Sequence, residues 1–189
     1  ASQIAIQMAK QGTKVLYSSL DQSSEWMGNK MLSILLDIEF GKITDPVYES
    51  EVFAKKEEIL TQASNLPITI SDDLHKIEAF INAIESNDFD VIVIDFLQNM
   101  VSNLDKHNED IAKTIATLKE IAVKKNITII ALSVISRRVE FRGGDRRPCL
   151  EDLRGSEMIE QTADKVLFIY RPEYYGITEG EGGFNLQNI

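Results

Sequence analysis

Val91-Ile-Val-Ile-Asp95-Phe-Leu-Gln98 is the stretch from which the fold can be read. Its four β-branched residues form an unbroken apolar run. Such a run suits a strand covered on both faces, the usual state of a parallel strand. Asp95 closes the run, and ligands of open parallel sheets gather at the carboxyl ends of the strands. A carboxylate delivered there can hold Mg²⁺ through water beside a nucleotide phosphate. The plain alternative is a buried strand whose terminal Asp caps the next helix.

Working outward, four further runs read as strands, at residues 14–19, 66–71, 127–133 and 165–170. Each is continuously apolar, which predicts cover on both faces. The intervening segments carry helical spacing. The clearest is 109–125, with Ile111, Ile115, Leu118 and Ala122 on one face; the others are 24–40, 48–63 and 74–86. Ser71, Asp72 and Asp73 are N-cap candidates for the helix in 74–86. Residues 1–10 read as the middle of a helix. Strands alternating with helices predict an α/β protein with a mainly parallel central sheet flanked by helices. A second carboxylate, Asp21, follows the strand at 14–19 and precedes a helix starting near Ser23 or Ser24. It is placed either to orient an attacking water as general base or to cap a turn.

The 189 residues suit a single domain with its own core. Hydrophobic residues make up 43% and charged residues 26%, which excludes a disordered chain. No apolar run approaches the roughly 20 residues needed to cross a bilayer. One cysteine, Cys149, excludes an internal disulfide and fits a reducing compartment. With 30 acidic and 20 basic residues the net charge is −10, so any contact with nucleic acid requires a local basic patch. Residues 137–154 supply one, with six arginines against four acids on a glycine-containing loop. Arginine forks suit phosphate oxygens; the competing reading is a solvated loop with internal ion pairs, such as Arg142 with Asp145. His75 and His107 lack ligand-spaced partners, Trp26 and Met27 read as packing residues, and no histidine accompanies Ser18, Ser19 or Ser133 as a triad would need. Residues 176–183 carry four glycines, so 176–189 reads as a flexible tail.

The order of segments resembles the C-terminal motor domain of DnaB-type replicative DNA helicases. The resemblance rests on strand-Ser-Leu-acid, then Ile94-Asp-Phe-Leu-Gln98, then Ala131-Leu-Ser133, then a specific run. That run comprises Arg138-x-Glu140-x-Arg142, Arg147-Pro148, Leu150, Asp152-Leu-Arg-Gly-Ser156, Ile159-Glu-Gln161, Ala163-Asp164 and Leu167-Phe-Ile-Tyr-Arg-Pro-Glu-Tyr-Tyr175. It implies a RecA-like, P-loop NTPase, three-layer fold over residues 1–189. It further implies a hexameric ring around single-stranded DNA, ATP between subunits, and Mg²⁺-dependent hydrolysis that drives unwinding during replication. Primase and a helicase loader are implied partners, and the location is cytoplasmic, with no membrane association. By the same resemblance Asp95 takes the Walker B position, binding Mg²⁺ through water. Asp21 takes that of the catalytic glutamate, Lys30 and Arg138 lie toward the nucleotide, and Arg154, Gly155 and Glu157 lie on the DNA-gripping loop.

Five departures go with it. The Gly-x-x-x-x-Gly-Lys-[Ser/Thr] loop and the downstream arginine finger lie outside the sequence, so it reads as a motor domain truncated at both ends that does not hold ATP tightly by itself. Asp21 is one methylene shorter than glutamate, and a misplacement of about 1 Å can cost on the order of a hundredfold in rate. Val134 stands where the family has a γ-phosphate-sensing glutamine, and Glu157 where it has a glycine. These departures give a second reading, a non-catalytic relative kept for assembly or partner binding. A third is another RecA-core ATPase, such as a recombinase or a circadian-clock-type signalling ATPase.

Overall fold

The structure, a computed structural model, describes residues 1–45, 47, 60–61, 63–101, 107–143, 146–153 and 157–175. The expected helix at 48–63 lies almost wholly outside them, as does the tail 176–189.

Four parallel strands form one sheet: β1 (Val15–Ser19), β2 (Ile68–Ser71), β3 (Val91–Asp95) and β4 (Thr128–Ala131), in the order β2-β1-β3-β4. Side chains alternate between faces along a strand, and the two central strands use both faces. Leu16, Ile92 and Ile94 pack into one core with Phe80 and Ile84 of α4 (Ile77–Ser86) and with Ile111, Ile115 and Leu118 of α5 (His107–Lys125). Val15, Tyr17, Val91 and Val93 pack into the other core. There they meet Ala5, Ile6 and Ala9 of α1 (Ser2–Lys10) and Met27 and Met31 of α2 (Ser24–Leu36). The result is the expected three-layer α/β fold. Cover on both faces holds for β1 and β3 only; β2 and β4, at the edges, are partly exposed.

The helices begin and end for local reasons. Ser23 caps α2, its hydroxyl accepting from the Trp26 N–H at 3.2 Å. The predicted helix over 24–40 stops at Asp37, which adopts a left-handed conformation, φ 53°, and a short helix, α3 (Phe40–Thr44), follows. Gly12, at φ 86°, turns the chain from α1 into β1. Ser71, Asp72 and Asp73 do not cap α4, which starts after Lys76. Asp72 instead accepts from the Ser24 N–H at 2.7 Å and so joins Ser23 at the start of α2. Two short helices, α6 (Arg138–Phe141) and α7 (Glu157–Thr162), follow β4.

The fifth predicted strand, 165–170, does not join the sheet among the described residues. Val166, Phe168 and Tyr170 are half-buried, whereas Leu167 and Ile169 are 90% and 88% exposed. The alternation is that of a strand, but a sheet position also needs a backbone partner, and side-chain patterning does not supply one.

Phe80 carries α4 onto the sheet and is fully buried. The Phe80→Ala variant is expected to lose about 3–5 kcal/mol of stability, read as a lower urea midpoint with unchanged slope.

Candidate functional site

The order β2-β1-β3-β4 contains a reversal. From β1 the chain moves outward to β2, then returns past β1 to β3 and continues to β4. The crevice at such a switch point lies beyond the carboxyl ends of the two central strands. Here these ends are Ser19 and Asp95, which pair in register. Because α1 runs back into β1, its N-terminus lies at the same edge of the sheet.

Several bonds hold this edge. The Leu20 N–H donates to the Asp95 carbonyl at 2.7 Å, and the Asn99 side-chain amide donates to the Leu20 carbonyl at 3.2 Å. The Gln98 amide donates to Ser133 Oγ at 2.8 Å, and its Oε1 accepts from the Val134 N–H at 3.2 Å. Gln98 therefore clasps the segment following β4 at Ser133 and Val134.

Asp95 is half-buried, and its Oδ2 accepts a hydrogen bond from the Tyr17 hydroxyl at 2.6 Å. Burial, and secondly that bond, push the Tyr17 phenol above its ordinary range, so it remains a protonated donor. The Ser2 hydroxyl, in the first turn of α1, approaches the same phenol and lies 3.5 Å from Met27 Sδ. Neither Tyr17 nor Ser2 stood out in the sequence. The available signal was parity: Tyr17 and Asp95 occupy odd positions of adjacent strands and so share a face.

The other expected site residues are distributed as follows. Asp21 is exposed just beyond β1 and accepts from the Gln22 amide at 3.0 Å. The Lys30 ammonium lies over the Phe40 ring, 5.1 Å from its centroid, and Trp26 packs on that ring at 4.9 Å. Arg138 is exposed at the start of α6. Arg154 and Gly155 lie outside the described residues, and Glu157 is exposed at the start of α7.

The basic loop is partly closed on itself. Arg142 pairs with Asp152; Asp145, its suggested partner, lies outside the described residues. Asp152 is 3% exposed and already accepts from the Cys149 N–H at 2.9 Å, so it presents a fixed carboxylate. The Ser136 N–H donates to the Asp152 carbonyl at 2.7 Å, and Ile135 bridges Leu153. Arg146 and Arg147 stack over Tyr175 and Tyr170 at 5.4 and 5.9 Å.

Among the described residues, no group of three or more His, Cys, Asp or Glu is arranged to hold a metal. A metal at Asp95 would take its remaining ligands from phosphate and water. That suits Mg²⁺, which keeps several waters and uses one or two carboxylates.

The chain as a whole has matching counterparts. The model of the DnaB-like helicase C-terminal domain matches residues 1–187. The chain belongs to that family. It is 34% identical over 173 residues to a probable plasmid replicative DNA helicase of Chlamydia psittaci, covering 88% of this chain and 38% of that protein. It is 35% identical over 169 residues to the replicative DNA helicase DnaB of Rickettsia typhi, covering 84% and 33%. The chain thus spans little more than a third of these relatives. Among solved structures, the fold is similar to a DnaB-like replicative helicase described with its primase interactions, with TM-score 0.81, 28% identity, and 94% and 45% of the two chains covered. It is also similar to a second solved chain, described as an ATPase domain, with TM-score 0.82, 28% identity, and 92% and 65% covered. Among the described residues of this DnaB-like domain, no helix is long and apolar enough to cross a membrane.

The Cys149 backbone N–H, and beyond it the Arg142 charge, hold the Asp152 carboxyl below the usual carboxylate range. Its folded pKa is lower than its unfolded one, so its contribution is complete above about pH 4 and is lost as pH falls through the folded value. Asp152→Ala is expected to cost about 2 kcal/mol at pH 7. In melting curves from pH 7 to 3 the gap to wild type should stay constant down to about pH 4 and narrow below it.

Proposed function

We propose that the protein containing this chain is an ATP-dependent DNA helicase motor of the replicative DnaB type. The observation that carries this reading is Asp95, fixed at the carboxyl end of β3, at the switch point and beside the start of α1. A helix N-terminus with free N–H groups attracts phosphate, and a neighbouring carboxylate suits the accompanying cation.

In this reading Asp95 would hold Mg²⁺ through water. Bound Mg²⁺ supplies neutralisation of charge developing on the phosphate oxygens. Asp21 orients the attacking water from the tip of β1 and accepts its proton. Lys30 and Arg138 provide positive charge toward the nucleotide, which for Lys30 requires leaving the Phe40 ring. Arg154 and Gly155 contact the DNA backbone without reading its sequence, and Glu157 sets the charge at the edge of that contact. Six copies form a ring on single-stranded DNA, with ATP between neighbours, and primase and a loader act as partners in the cytoplasm. The family membership and the relatives' replicative roles support the reading.

The test uses the full-length protein. DNA-stimulated ATP hydrolysis is expected, with Asp95→Asn lowering it at least about 100-fold. Binding to single-stranded DNA should weaken linearly with log salt, losing about 0.7 in slope for each phosphate contact removed. A wild-type protein that assembles and binds partners but hydrolyses no nucleotide would overturn the motor and favour a non-catalytic assembly role.

A further inference from the structure

Tyr17 is paired with Val93, two residues before Asp95 on the neighbouring strand, so its side chain reaches forward along the sheet to the carboxylate. Its ring is 1% exposed and packed in the core with Ala5, Ile6, Ala9, Met27 and Met31. A ring so enclosed has no second place for its hydroxyl. The bond is therefore reciprocal: a buried phenol needs an acceptor, and a carboxylate at a strand end needs something to choose its rotamer. Oδ2 is engaged by the phenol, and Oδ1 takes no hydrogen bond among the described residues.

We infer that Tyr17 is a positioning residue for Asp95. Its hydroxyl, anchored in the core, fixes the carboxylate through Oδ2 and leaves Oδ1 as the oxygen presented to a metal-bound water. The inference rests on the proposed nucleotide reading. Preorganisation of this kind removes the rotamer freedom that Asp95 would otherwise lose on each binding event. It also gives α1 a stake in the site, because Ser2 approaches the same phenol and Ala5, Ile6 and Ala9 wall its ring.

Tyr17→Phe keeps the ring and removes only the O–H. In the full-length protein, Mg²⁺ is titrated against binding of a fluorescent ATP analogue. The variant is expected to need about 3- to 10-fold more Mg²⁺ for half-maximal binding. Its metal-free nucleotide affinity should be unchanged and its melting temperature within a few degrees of wild type. A vibrational difference spectrum, wild type minus Tyr17→Phe without nucleotide, isolates the Tyr17 C–O stretch, which should shift in Asp95→Ala. An unshifted stretch overturns the inference, as does equal Mg²⁺ demand in the two proteins. Equal loss of metal-free and Mg²⁺-supported binding reduces Tyr17 to a structural residue and overturns it too. A wild type that binds no nucleotide with Mg²⁺ overturns the functional reading itself, and that result is in hand before any variant is compared.

Discussion

The in-register pairing of β1 with β3, Val15 with Val91 through Ser19 with Asp95, is the constraint on which the rest depends. It places the two central strands side by side although α2, β2 and α4 lie between them in the chain. Register then fixes parity, since a shift of one residue would send every side chain to the opposite face. With Tyr17 and Asp95 on the α1 side, the carboxylate faces the helix whose N-terminus opens at the same edge. With Leu16, Ile92 and Ile94 on the other side, α4 and α5 have a continuous apolar surface to cover. Slipping β1 by one residue would turn Tyr17 away from Asp95 and send Ser19 to the α4 and α5 side.

The same constraint sets which parts of the edge are rigid. Asp95 is tied through its backbone to Leu20 and through its side chain to Tyr17, and the Gln98 carboxamide joins the neighbouring turn to Ser133 and Val134. Asp21 lies two residues beyond the paired strand, exposed, with its carboxylate on the adjacent Gln22 amide. The two carboxylates on the sheet edge therefore differ in preorganisation. The one suited to holding a cation is anchored in the core, and the one suited to orienting water sits on a turn, where its shorter side chain can be compensated by small movements of the backbone. That division agrees with the chemistry proposed for each.

Much of this was legible in the sequence because it depends on local pattern. The run 91–95 appears as β3 without a change of boundary, and Ile111, Ile115 and Leu118 lie on the buried face of α5 as their spacing requires. What was not legible depends on tertiary partners. Asp72 looked like a cap for the helix that follows it, but caps α2, because β2 lies beside β1 and brings Asp72 to the Ser24 N–H. The Arg142–Asp152 pair joins residues ten apart and depends on the burial of Asp152, which local pattern does not show. Residues 165–170 carry a strand's alternation without a strand's partner. Tyr17 is hidden for the opposite reason: it reads as an apolar member of a strand, and the β1–β3 register is what brings its polar tip to Asp95.

The closure of the basic loop bears on how an acidic chain could hold DNA. Of its six arginines, Arg142 is committed to Asp152, and Arg146 and Arg147 lie on tyrosine rings. The loop thus spends part of its positive charge on its own shape, through the Asp152 pair and the Ile135–Leu153 bridge that brings its two ends together. Side chains already held in place lose less entropy on binding than free ones. On the proposed function, a single copy with few such charges would bind weakly at physiological salt. In the proposed ring the same few contacts recur around one strand, and effective concentration multiplies them. In that proposed ring, assembly would be what lets a domain of net charge −10 hold a polyanion, and the Arg142–Asp152 pair would give identical copies the same local shape there.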